Sequence, residues 1–244
     1  MEAASAEPVI SVRNLGFKRG DRWIFRHLDF ELMPGDFLAL VGPSGVGKST
    51  LLSCLCGFRA PAEGEVRVHL PGQSETSPQA LRRYFGIIFQ DLQLTAKADL
   101  LTNVLCGRLA RFSWLRTLFG FPRSQCLEAY RLLCELGVGQ NPHKWVSQMS
   151  GGEQQRVAIA RTLFQQPKLY FADEPVSSLD NYYAGRVLGL LWQETEIPRK
   201  AVICVLHNAE HIQRFADLAL SLNPNDPSGY KIRRIRPAET KADR

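Results

Sequence analysis

No apolar run in the 244 residues approaches the roughly 18 to 20 needed to span a bilayer. The longest are short stretches such as Phe37 to Val41 and Ala201 to Leu206, so any membrane role requires a separate partner chain. Six cysteines, at 54, 56, 106, 126, 134 and 204, include neither a C-x-x-C pair nor a Cys/His spacing that would hold zinc, and they read as reduced core or surface thiols. The first residues carry Glu2 and Glu7 instead of a positive start followed by an apolar stretch, so no secretory leader is expected and the chain is expected to stay inside the cell. A net charge of +6 is spread along the chain without an RNA- or DNA-binding signature, which predicts no nucleic-acid partner. Nucleotide phosphates, or a nearby anionic membrane surface, account for that charge as well. No internal repeat is apparent.

What is present is a composition of 45% apolar and 22% charged residues, enough to bury a full core as one large globular domain or two small ones. Val9 to Leu15 and Trp23 to Leu32 read as strands. In the second, Leu28, Phe30 and Leu32 alternate with Asp29 and Glu31, as in a half-exposed antiparallel strand. Phe37 to Val41 is wholly apolar, the pattern of a parallel strand buried on both faces, and a helix from Lys48 to Cys56 is expected after its Gly-rich loop. Similar runs at Leu169 to Ala172 and Ala201 to Leu206 each end in a polar residue, Asp173 and His207. Parallel sheets place ligands at such carboxyl ends. Between Gln90 and Ser150 helical periodicity takes over, clearest from Cys126 to Leu136, where Leu127, Tyr130, Leu133 and Cys134 are expected on one side. The region reads as a helical subdomain, about residues 91–150, inserted in a domain spanning 8–237. A basic run from Lys231 to Arg236 predicts a short strand, and residues 238–244 a short polar tail.

Gly42-Pro-Ser-Gly-Val-Gly-Lys-Ser49 fits a phosphate-binding loop between a strand and a helix. Its glycines let backbone N–H groups turn inward around phosphates, Lys48 reaches the β and γ phosphates, and the Ser49 hydroxyl ligates Mg²⁺. Gly42, Ser44, Gly45, Gly47, Lys48, Ser49 and Thr50 are the candidate nucleotide ligands. Leu169-Tyr-Phe-Ala-Asp173-Glu174 is an apolar strand ending in two carboxylates. Asp173 is placed to hold Mg²⁺ through its water shell, and Glu174 to polarise the water that attacks the γ phosphate. In Met149-Ser-Gly-Gly-Glu153-Gln-Gln-Arg156, Ser150 and Glu153 form a Ser-x-x-Glu capping box. That box opens a helix expected to end near Gln165, with Gly151 and Gly152 exposing N–H groups at its positive end.

That last segment resembles the signature of the ABC ATPase family, Leu-Ser-Gly-Gly-Gln. The resemblance extends over residues 42–207, because Gln90 resembles the family's Gln loop, Ser178-Leu-Asp180 the segment that crosses the dimer interface, and His207 the switch histidine that contacts the γ phosphate. It implies a P-loop NTPase α/β core with an N-terminal antiparallel β subdomain and an inserted α-helical subdomain. It implies ATP and Mg²⁺ as cofactors, with Ser49, Gln90 and Asp173 around the metal and Ser150, Gly151, Gly152 and Asp180 serving a second subunit's nucleotide. As partners it implies a head-to-tail homodimer, integral membrane permease subunits and a periplasmic or extracellular solute-binding protein, at the cytoplasmic face of the membrane.

Asn103-Val-Leu-Cys-Gly-Arg108, the aromatic and basic stretch Phe112 to Arg123, Phe164-Gln-Gln-Pro167 and Ala172-Asp-Glu-Pro-Val176 are similar to phosphonate-importer ATPases. The resemblance therefore points to import of phosphonate or a related oxyanion, with lipoprotein or drug export, or a soluble ABC protein acting on nucleic acid, as the rival readings. Three positions depart from the family. Glu153 replaces Gln, with Arg156 one turn on as a neutralising partner. Arg19 stands where an aromatic stacks on adenine, with Phe17 and then Trp23 as the competing stackers. Asn223 to Gly229 replaces a compact hairpin.

Overall fold

The computed structural model describes residues 7–111 and 120–236. The expected tail at 238–244 and most of the Phe112 to Arg123 stretch lie outside the described residues. Two compact units are resolved: one takes in residues up to Phe85, Lys168–Asp173 and Leu191 onward, the other Gly86–Pro167 and Glu174–Leu190.

In the first unit, β1 (Ile10–Arg19), β2 (Arg22–Leu32) and β4 (Glu63–Val68) form an antiparallel sheet in the order β2–β1–β4. Ile10 pairs with Leu32 and Arg19 with Arg22 around a two-residue turn. The alternation read from the sequence sets the faces, since Leu28, Phe30 and Leu32 are buried while Asp29 and Glu31 are exposed. A parallel sheet carries β6 (Leu169–Ala172), β7 (Ala201–Val205), β3 (Phe37–Val41) and β8 (Leu218–Leu222) side by side, with β9 (Tyr230–Arg234) antiparallel to β8. In register, Phe37 faces Val202, Leu38 faces Leu218, and Leu169 faces Ala201. Every residue of β6 and β7 is buried, as expected of apolar strands covered on both faces. The unit also holds α1 (Lys48–Leu55), α2 (Pro78–Leu81) and α7 (Ala209–Phe215). The Asn208 side chain caps α7 by accepting from the N–H groups of Glu210 and His211. Strand β5 (Phe85–Ile88) begins at the boundary of the unit.

The second unit contains α3 (Leu100–Leu105), which tightens into a 3₁₀ segment at Cys106–Arg111, then α4 (Arg123–Glu135), α5 (Gly151–Gln165) and the first part of α6 (Asn181–Glu196). Two polar side chains organise it from inside. Asn103, 1% exposed, accepts from the Thr95 N–H at 2.8 Å and donates to the carbonyls of Thr95 and Asp99 at 3.1 and 3.0 Å. Arg108 forms a bidentate pair with Glu128 at 2.6 and 2.7 Å, donates to Gln125 at 2.6 Å, and lies 4.0 Å from the centre of the Phe164 ring. Such a planar fork, stacked on an aromatic face, is what distinguishes arginine from lysine at a buried site.

One expectation fails here. Helix α4 buries Ala129 and Leu133, while Leu127, Tyr130 and Cys134 are exposed. The buried stripe is carried by Ala129, Leu133 and Leu136, spaced four and three apart, and small Ala129 allows the close approach. The cysteines divide by unit. Cys54, Cys56 and Cys204 are buried in the first, whereas Cys106, Cys126 and Cys134 in the second are half-buried or exposed.

Candidate nucleotide site

In the first unit, β3 runs into the Gly42–Gly47 loop and the loop into α1. The turn demands glycine where the backbone goes left-handed. Gly47 has φ +114° and caps the helix without a side chain, and a Cβ there would lie 2.5 Å from Ile24 Cγ2. The Lys48 ammonium donates to the loop carbonyls of Gly42 and Pro43, both at 2.9 Å, so its charge is folded into the concave side of the loop. The Ser49 hydroxyl donates to Asp173 Oδ1 at 2.9 Å, which joins the loop helix to the end of β6. An adjacent hydroxyl and carboxylate form an all-oxygen donor set, suited to a hard cation such as Mg²⁺. Among the described residues no group of three or more His, Cys, Asp and Glu forms a metal cluster. His207 follows β7, the strand between β6 and β3, and is exposed. Gly42, Asp173 and His207 thus sit past the carboxyl ends of adjacent parallel strands, as the switch-point rule requires.

Beside the loop is a cleft of about 560 Å³, whose walls include Arg19, Trp23, Ser44, Val46, Asn223 and Asn225. Arg19 belongs to this wall and Phe17 does not. The Phe17 ring instead lies 6.2 Å from that of Phe25 and 5.7 Å from the Arg59 guanidinium. Trp23 has Lys18 Nζ and Arg26 each 4.4 Å from its ring centre. The Asn223–Gly229 departure proves to be part of the cleft, anchored where the Arg26 N–H donates to the Pro227 carbonyl at 2.6 Å. Sequence reasoning marked that segment only as unusual, because no local pattern says that a loop after β8 returns to the β1–β2 turn.

In the second unit, Ser150 caps α5 and the capping box is complete. Ser150 Oγ accepts from the Glu153 N–H at 3.3 Å, while Glu153 Oε2 accepts from the Ser150 N–H and hydroxyl, each at 2.8 Å. The backbone bond to Ser150, then its hydroxyl bond, hold the Glu153 carboxyl below its usual range; Lys144 and lastly Arg156 add smaller attractions. Arg156 is therefore not chiefly a counter-ion. It donates to the Leu136 carbonyl at 3.1 Å and lies 3.8 Å from the Tyr183 ring centre. Gly151 is open on its Cβ side, whereas a Cβ at Gly152 would meet the Ser178 carbonyl at 2.9 Å.

Glu174 adopts φ +51°, a left-handed conformation that costs a non-glycine residue about 1 kcal/mol. Its carbonyl accepts from Gln155 Nε2 at 3.1 Å, from the Ser177 hydroxyl at 3.1 Å and from the Ser177 N–H at 3.3 Å. Asp180 caps α6, its carboxylate accepting from the Tyr183 N–H at 2.9 Å. Gln90 follows β5 and is exposed. The predicted residues thus fall into two groups. Gly42 to Thr50, Asp173, His207 and Arg19 belong to the first unit, and Gln90, Ser150 to Gly152, Glu174 and Asp180 to the second.

The description "ABC transporter" attaches to the family model that matches residues 25–177, more than half of the chain. The chain belongs to the ABC transporter family. The phosphonates import ATP-binding protein PhnC 2 of Oceanobacillus iheyensis is 35% identical over 225 residues, covering 89% of this chain and 88% of its own. The hypophosphite import ATP-binding protein HtxD of Stutzerimonas stutzeri is 38% identical over 212 residues, and there the match covers 85% of this chain but 62% of the relative. Among solved structures, a putative metal-chelate type ABC transporter in an inward-facing conformation superposes with a TM-score of 0.72 at 29% identity, over 93% of this chain and 83% of that one. A dimeric ATP-binding cassette in a post-hydrolysis state bound to ADP and Pi superposes with a TM-score of 0.77 at 25% identity, over 93% and 99%. This ABC chain is an ATPase with the P-loop α/β fold of its family, and ATP is its nucleotide. No described helix is long and apolar enough to cross a membrane.

Proposed function

We propose that this ABC chain is the ATP-hydrolysing subunit of an importer for phosphonate or a related phosphorus oxyanion. The observation that carries the reading is the presence on one chain of two phosphate-type ends, the loop around Lys48 and the capped helix start at Ser150. Two such ends serve two subunits packed head to tail, each nucleotide lying between one copy's loop and the other's signature. The relatives whose names specify phosphonate or hypophosphite import support the solute class.

In this reading residues 8–237 form one nucleotide-binding domain with a helical subdomain at about 91–150, and 238–244 are a tail. Backbone N–H groups of Gly42 to Thr50 hold the phosphates, and Lys48 exchanges the Gly42 and Pro43 carbonyls for phosphate oxygens. Ser49 and Asp173 hold Mg²⁺, with Gln90 assigned to it by resemblance alone; the ion would neutralise charge on the β and γ phosphates. Glu174 polarises the attacking water, His207 contacts the γ phosphate, and Ser150, Gly151, Gly152 and Asp180 serve the other subunit's nucleotide. Arg19 stacks on the adenine ring. Nucleotide-driven closure of the pair moves separate integral membrane permease subunits at the cytoplasmic face, supplied by a periplasmic or extracellular solute-binding protein, with no nucleic acid involved.

The test is to purify the chain with its co-purifying partners in mild detergent and measure ATPase activity with candidate solutes. Stimulation by phosphonate, phosphite or hypophosphite supports the reading. Stimulation only by lipids or lipophilic drugs overturns it.

A further inference from the structure

Gln155 is 4% exposed and lies on α5, two residues beyond the capping Glu153. A buried carboxamide must find partners for both its ends, and here both belong to the segment that follows β6. Nε2 donates to the Glu174 carbonyl at 3.1 Å, and Oε1 accepts from the Ser178 hydroxyl. Ser177 supplies two more donors to the same carbonyl, so the left-handed turn at Glu174 is held locally as well. What Gln155 adds is a tie between that turn and the signature helix. Gly152 reinforces it, since a side chain there would press on the Ser178 carbonyl.

The direction in which the Glu174 Cα–Cβ bond leaves the chain follows from the φ and ψ of its own backbone, and a donor on its carbonyl constrains ψ. We infer that Gln155 is a positioning residue for Glu174, fixing where its carboxylate points and making that direction depend on α5. Gln155 touches neither nucleotide nor water in this scheme and acts only through Glu174. The α5 start engages the other subunit's nucleotide, so binding there is felt at this subunit's own general base. The inference rests on the assignment of Glu174 as base under the proposed function.

The test is a mutant cycle on the full chain with saturating Mg²⁺ and varied ATP. Gln155→Met keeps length and burial but removes donor and acceptor. It is expected to lower kcat about 10-fold with KM for ATP unchanged, and to reduce the Hill coefficient for ATP. In a Glu174→Gln background the same change is expected to lower kcat no further, because a group that acts only through the carboxylate has nothing left to position. Equal losses in both backgrounds, or no loss in either, overturn the inference while leaving the base assignment intact. Glu174→Gln alone hydrolysing within a few-fold of the unaltered chain removes the base assignment and this inference with it. If Gln155→Met does not fold, Gln155→Glu serves instead. A buried carboxyl ionises only at raised pH and regains a donor when protonated, so its kcat relative to the unaltered chain is expected to rise as pH falls. A flat ratio overturns the inference.

Discussion

The Ser150 hydroxyl donates to Glu153 Oε2 at 2.8 Å while accepting from the Glu153 N–H at 3.3 Å, so its single proton is committed within its own helix turn. Gln at 153 keeps an acceptor for the Ser150 N–H but removes the full negative charge. Glu153→Gln is expected to raise ATPase activity about 2- to 5-fold, through weaker repulsion of the facing phosphate, with a melting temperature close to that of the unaltered chain. Glu153→Ala breaks the box and should cost about 1 kcal/mol, read by thermal melting. The folded pKa of Glu153 is depressed, so its stabilisation is full above the ordinary glutamate range. It is lost as pH falls through the folded value, and an acid melt of Glu153→Gln should be flatter than that of the unaltered chain.

Arg108 and Glu128 pair across the helical unit with Arg108 5% exposed, so truncating the arginine removes three hydrogen bonds and a stacked ring contact together. Arg108→Ala should destabilise the unit by about 3 kcal/mol. Lysine should restore less than half, because it cannot form the fork. Denaturant titration measures both.

Lys48 and the Ser49–Asp173 pair separate two kinds of loss. Lys48→Ala is expected to weaken ATP binding at least 10-fold, since the loop loses its only lysine; retained tight binding in equilibrium dialysis would count against the loop assignment. Asp173→Asn should mainly raise the Mg²⁺ concentration giving half-maximal activity, with ATP binding less affected.

Arg19 and Trp23 line the cleft and Phe17 packs elsewhere, which favours the proposed stacking by Arg19 over Phe17. A guanidinium over a base contributes about 1 kcal/mol, so Arg19→Ala should raise KM for ATP roughly 5-fold at little change in kcat. Phe17→Ala should leave KM unchanged once folding is confirmed. A rise confined to the Phe17 variant would overturn the placement.

How much of this was legible follows from the range of each interaction. The capping box at Ser150 and Glu153 is an i, i+3 relation, and the all-apolar strands at Phe37 and Leu169 carry their burial in composition, so both could be read directly. Asn103 and Arg108 were singled out as motif letters, yet nothing local says that such polar side chains turn inward. On α4 the sequence pattern points to Leu127 and Tyr130 because they are apolar by type, while the helix buries Leu133 and the small Ala129, which allows close packing. Gln155 and Glu174 are 19 apart in sequence, and neither the bond between them nor the positive φ at Glu174 leaves a local pattern.

The division of cysteines has a practical consequence. Burial pushes the Cys54 thiol up to about 12 and that of Cys56 to about 11, and raises Cys204 as well, so the thiols of the first unit are protonated and sheltered. Cys134 is exposed and Cys126 half-buried on one helix of the second unit. A maleimide dye or spin label added to the native protein would therefore mark the helical unit while the nucleotide loop stays unlabelled, and its signal would follow that unit through the ATP cycle without an engineered cysteine.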